Sequence, residues 1–73
     1  MITPEILRPI IGRDLARRID ILSISDSTVE IRAGWRIDLD LARQRIKRAG
    51  FHVYGIPNSG PFHRLRVRAK GAR

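Results

Sequence analysis

Phe51-His52-Val53-Tyr54 and, past the turn Pro57-Asn58-Ser59-Gly60-Pro61, Arg64-Leu65-Arg66-Val67-Arg68 decide how this chain folds. In both runs apolar and polar residues alternate, the period of a strand with one buried face. Phe51, Val53, Leu65, Val67 and Ala69 make the inward rows of a hairpin, and the residues between them are chain-bending types. Pairing inward with inward sets Phe51 opposite Val67 and Val53 opposite Leu65, hence His52 opposite Arg66 and Tyr54 opposite Arg64. The other face then shows His52, Tyr54, Arg64, Arg66, Arg68 and Lys70. A slip of one residue would bury three arginines, so this choice of face is strongly favoured.

Working outward, the segment before this hairpin reads as a helix that starts at Asp38 or Asp40, both good caps, and stops near Gly50. Leu39, Ala42, Ile46 and Ala49 share its buried stripe; Arg43, Gln44, Arg45, Lys47 and Arg48 are its surface, with Leu41 an apolar exception. Upstream again, Leu22 and Ile24 alternate with Ser23 and Ser25, and Val29, Ile31, Ala33 and Trp35 alternate with Glu30, Arg32 and Gly34. This predicts a first hairpin around Ser25-Asp26-Ser27-Thr28, whose outward Ser23, Ser25, Glu30 and Arg32 are polar, nearly neutral and unlike a site. The chain opens with a cap at Thr3, Pro4 at the first helical position and Glu5 at the positive end of the dipole. Pro9 predicts a kink or a division into pieces at roughly 4–8 and 10–19. Leu7, Ile11, Leu15 and Ile19 form one stripe, with Ile10 beside it, and Arg13, Asp14 and Arg17 face water.

The predicted organisation is αββαββ in an α+β single domain over residues 1–73: a two-layer sandwich of a four-stranded antiparallel sheet with two helices on one face. A right-handed crossover allows strand order 3-4-2-1, a circular permutation of the ferredoxin-like sheet with the arginine strand central. Asp14-Leu15-Ala16-Arg17 recurs as Asp40-Leu41-Ala42-Arg43 before each hairpin, which suggests a duplicated αββ unit spanning about 3–34 and 38–70.

Charge is distributed as unevenly as the pattern. No acidic residue follows Asp40, and the net charge of +8 divides into +1 over residues 1–36 and +7 over 37–73. Such asymmetry speaks to partners rather than to fold. Without cysteine there are no disulfides or thiolate metal sites, and two histidines with few carboxylates give no structural zinc site. With 42% hydrophobic and 30% charged residues the composition is that of a folded domain. No apolar run approaches the roughly 20 residues of a membrane span, and the N-terminus lacks a secretion signal, so a cytoplasmic protein that does not engage membranes is expected.

Leu41-Ala42-Arg43-Gln44-Arg45-Ile46-Lys47-Arg48-Ala49-Gly50-Phe51-His52-Val53-Tyr54, followed by Arg64-Leu65-Arg66-Val67-Arg68, resembles the middle of a SPOR domain. In that family a helix ending in Ala-Gly-aromatic leads into a hairpin with an Arg-Val-Arg-Val-type strand. The resemblance covers residues 41–68. It implies an αββ geometry there and binding of bacterial cell-wall glycan on an RNP-like sheet.

Residue chemistry by itself points elsewhere. His52 and His63 are the acid–base candidates of the basic half, and Ser59 sits in a loop without histidine–carboxylate support, so no catalytic constellation is expected. The glycines lack a phosphate-cradling spacing, so no cofactor is expected either. Trp35 and Phe62 read as packing residues. The leading expectation is a binding module for RNA or single-stranded DNA, with Arg64, Arg66 and Arg68 on phosphates, Lys70 and the helix residues Arg43 and Lys47 extending the field, and Tyr54 with His52 or Phe62 stacking on a base. An alternating arginine strand is also what the solvated side of any one-faced sheet looks like. The competing expectation is a protein-interaction or inhibitor module of the kind phage regulators use, homodimeric or docked on an acidic partner.

Overall fold

The computed structural model describes residues 2–58 and 60–69. Helix α1 covers Pro4–Ile11 and α2 Arg13–Ala16; strands β1, Ile19–Ser25, and β2, Thr28–Ala33, follow. Helix α3 covers Arg36–Arg48 and leads into β3, His52–Gly55, and β4, His63–Arg68. The four strands form one antiparallel sheet in the order β1-β2-β4-β3, so β2 and β4 are central. All three helices lie on one face: Leu7, Ile11, Leu15, Leu39, Ala42 and Ile46 share a buried cluster with Ile19, Val29, Ile31, Ala33, Val53, Leu65 and Val67 of the sheet. Among the described residues no helix is long and apolar enough to cross a membrane.

The N-terminal cap forms as expected, with Thr3 Oγ1 accepting the Ile6 amide at 3.4 Å and Pro4 opening the helix. The break falls at Gly12 rather than at Pro9. Pro9 lies inside α1 and costs one amide donor, whereas Gly12 has φ 97° and ψ 142°, a conformation essentially reserved for glycine. Gly12 closes α1 through its amide on the Arg8 carbonyl at 3.0 Å and starts α2 through its own carbonyl, which accepts the Ala16 amide at 2.9 Å. Arg45 of α3 reaches across and donates to the Ile11 carbonyl, placing a cation at the negative end of α1.

Because α2 ends at Ala16, Ile19 begins a strand instead of ending a helix, and the face of β1 differs from the expectation. Ile19 and Ile21 pair with Ala33 and Ile31 on the covered side; Leu22 pairs with Glu30 on the open side, and Ile24 is exposed. β1 carries two apolar sets of opposite parity, and the neighbouring Val29-Ile31-Ala33 row selects between them. The register slips between Ser23 and Ser25. In the second hairpin, Val53 pairs with Val67, His52 with Arg68 and Tyr54 with Arg66. This is two residues from the expected pairing, an even shift that keeps every side chain on its predicted face but lengthens the connection.

Helix α3 starts earlier than either Asp38 or Asp40. Trp35 occupies the cap position without a side-chain bond, and Asp38 is buried in the first turn, 3.4 Å from Arg18. Ala49 is exposed past the end of the helix, while Leu41 is half-buried against the core. Trp35 is 71% exposed and so is not an inward residue of β2. The two Asp-Leu-Ala-Arg segments occupy different phases, since Leu15 is buried and Ala16 half-buried, whereas Leu41 is half-buried and Ala42 buried.

A Cβ at position 12 would lie 2.9 Å from Arg45 Nη1, in a backbone conformation that disfavours any side chain. Gly12→Ala is expected to lower the unfolding free energy by about 1–3 kcal/mol. Gly34→Ala, where nothing lies within 4 Å, should stay within ~0.5 kcal/mol of the parent. Urea titration followed by circular dichroism separates the two.

Candidate polyanion interface on the open sheet face

The uncovered face is built of three cross-strand rows. Leu22, Glu30, Arg66 and Tyr54 form the middle row; Asp20, Arg32 and Arg64 lie on one side of it, and Thr28, Arg68 and His52 on the other. Each strand contributes alternate residues, so the parity that sends Val29, Ile31, Leu65 and Val67 into the core also sends Glu30, Arg32 and the β4 arginines to this side.

At the centre lies Glu30, a residue that its sequence context left in a neutral, unremarked row. It is 0% exposed although it belongs to the open face, because arginines cover it. Arg32 Nε donates to Oε2 at 2.6 Å, Arg66 Nε donates to Oε1 at 3.1 Å, and Arg64 Nη1 stands 3.6 Å from Oε1. Burial pushes the Glu30 carboxyl up, but the hydrogen bonds from Arg32 and Arg66 and the charges of Arg32 and Arg64 together outweigh it. The net effect holds the group below its usual value of 4.5. Arg64 is held a second time, its Nε and Nη2 donating to the Pro57 carbonyl at 3.0 and 2.7 Å. Its side chain is 20% exposed.

Arg68 is organised differently. Its guanidinium carbon stands 6.0 Å from the centre of the Tyr54 ring, and its Nε is buried with no hydrogen-bond partner among the described residues. His52 stacks obliquely on Tyr54, with ring centres 5.9 Å apart. His52, Tyr54, Arg64, Arg66 and Arg68 are therefore brought onto one face. Lys70 lies outside the described residues.

Arg43 and Lys47 are exposed on α3, in the layer on the opposite side of the sheet. Arg43 approaches the rim, lining a shallow groove with Arg64, His63 and Asn58. His63 turns inward beside Ala33, its Nδ1 3.3 Å from Asn58 Nδ2. Phe62 is 40% exposed, and continuing the alternation of β4 by one step puts it on the open face next to Arg64.

Sequence reasoning missed Glu30 and Arg32. The available signal was the parity of β2: Glu30 stands between Val29 and Ile31, so it must share a face with the Arg64 row once β2 and β4 pair. The surface is less basic than the arginine strand alone suggests, since Arg32, Arg64 and Arg66 share the Glu30 carboxylate and Asp20 stands opposite Arg32. A planar guanidinium keeps free N–H groups after one such bond, so these arginines can still take phosphate or carboxylate oxygens from above. No family model, curated protein or solved structure matches this chain.

Since Glu30 has a lower pKa folded than unfolded, the unfolded chain takes up its proton first as pH falls. The stability it contributes is complete above the unfolded value and is lost as pH descends through the folded one. The thermal stability of the parent should therefore decline below about pH 4.5. Glu30→Gln should be less stable at neutral pH by about 1–3 kcal/mol and should show a flatter acid limb; parallel acid limbs would remove Glu30 as the acid-sensitive group.

Proposed function

We propose that this protein is a non-catalytic binding module whose open sheet face holds single-stranded nucleic acid, RNA or DNA, through its phosphates. The observation that supports the reading is the cluster of immobilised guanidiniums, Arg32, Arg64 and Arg66, held by Glu30 and, for Arg64, by the Pro57 carbonyl, with Tyr54 paired to Arg66. Prior fixation lowers the side-chain entropy lost on binding. Arg68 over Tyr54 joins a cation to an aromatic surface on which a base can stack, and Phe62 offers a second ring at the far end of β4. Contacts of this kind read the backbone more than the base sequence. We read the strand order as that of a circularly permuted ferredoxin-like sheet, which sets the arginine strand at its middle.

Anisotropy of a labelled mixed-sequence single-stranded oligonucleotide over a salt series tests this reading. Arg64→Ala with Arg66→Ala should weaken binding and reduce the slope of log affinity against log salt by about 0.7 for each phosphate no longer neutralised. Unchanged affinity and slope would remove the face from consideration. Glu30→Gln should act in the opposite sense on affinity at low salt, because it removes the negative charge beneath these arginines. A protein that elutes as a dimer and ignores oligonucleotides at low salt would instead favour docking on protein. Retention on isolated cell wall that survives high salt would favour the SPOR-like glycan reading.

A further inference from the structure

The sheet has a second basic region that faces away from the arginine row. β1 is an edge strand: β2 pairs with one side of it, and among the described residues its other side has no strand partner over Ile19–Ser25. Along that side, between β1 and the α1–α2 layer, runs a groove of about 610 Å³. Pro9, Ala16, Ile19 and Ile21 supply its apolar surface. Arg8, Arg13 and Arg17, all exposed, stand around it. None of these three is in a salt bridge among the described residues, whereas Arg32, Arg64 and Arg66 of the open face already share Glu30.

We propose that this groove takes an acidic segment of a partner protein in extended conformation, added alongside β1 as a fifth strand. An edge strand presents alternate backbone N–H and C=O groups outward, and an extended peptide satisfies them while its side chains fall alternately to the two faces. On the helix side those side chains meet Arg8, Arg13 and Arg17 over the Ile19 and Ile21 floor. On the other side the apolar residues meet Leu22, with Asp20 at one end of it and Ile24 exposed beyond. The recognised pattern is acidic residues at every second position with apolar residues between.

The groove suits a peptide better than the other candidates. Nucleic acid would find no aromatic ring among the lining residues on which a base could stack. A second copy would bring Arg8, Arg13 and Arg17 of one chain toward the same residues of another, each chain carrying net +8. The inference does not rest on the nucleic-acid reading, since the two surfaces lie on different sides of the sheet.

The test is an amide-resolved NMR titration with an acetylated, amidated seven-residue peptide that alternates Val and Asp. Expected are saturable shifts centred on the amides of Ile19–Ser25 and loss of at least tenfold in affinity on N-methylating alternate peptide bonds of the ligand. A similar loss is expected when Lys replaces Asp in the peptide, or with Arg13→Ala and Arg17→Ala together. Arg64→Ala with Arg66→Ala should bind the peptide within about twofold of the parent. Equal binding of the N-methylated peptide would reduce the effect to diffuse charge attraction and overturn the proposal. So would shifts centred on Arg64–Arg68, or displacement of the peptide from β1 by an oligothymidylate. The N-methylated ligand is tested on the unaltered protein, so that result does not depend on how well any variant folds. Failure of oligonucleotides to bind would count against the open-face reading alone.

Discussion

The pairing of β2 with β4 governs the rest of this structure. On one side it stacks Val29 on Val67 and Ile31 on Leu65, all buried; on the other it sets Glu30 against Arg66 and Arg32 against Arg64. Sliding either strand by one residue would drive guanidiniums into the helix layer and expose the valines and leucine, so hydrophobic burial and charge desolvation select the same register. A chain of 73 residues has little core to spare. The two central strands carry much of it, and the helices close over the rows they define.

The same pairing creates the electrostatic centre of the open face. A carboxylate between two core residues of β2 lands beneath arginines from both central strands, and their hydrogen bonds offset the cost of removing it from water. Glu30 thus has two consequences that pull apart. It consumes part of the positive charge that would attract a polyanion, and it holds the remaining guanidinium edges in place. The overall charge of +8 is therefore a poor guide to this one surface. Much of the surplus lies elsewhere, at Arg8, Arg13 and Arg17 beside the β1 edge and at Arg43, Lys47 and Arg48 on α3.

Local pattern revealed most where two signals agreed. In β4 strict alternation and the cost of burying arginine gave one answer, and the structure places Leu65 and Val67 inside. In β1 they conflicted: Ile19 and Ile21 have one parity and Leu22 and Ile24 the other, and a helix extended to residue 19 made the wrong set look inward. The helical piece stops at Ala16 instead, and the break before it falls at Gly12, where Arg45 caps the Ile11 carbonyl. Trp35 looked like the last inward residue of β2 because alternation does not report where a strand stops.

The order of elements, the one-sided amphipathicity of the second hairpin and the shift of charge toward the C-terminal half were set by the sequence alone, because period and composition are local properties. Which strands became neighbours depended on packing between distant segments. So did the two-residue offset between β3 and β4, the exposed β1 edge with its arginines, and the burial of Glu30. A carboxylate on an outward row is ordinarily solvated; only the approach of Arg64 and Arg66, more than thirty residues away in the chain, turned this one into the anchor of the face.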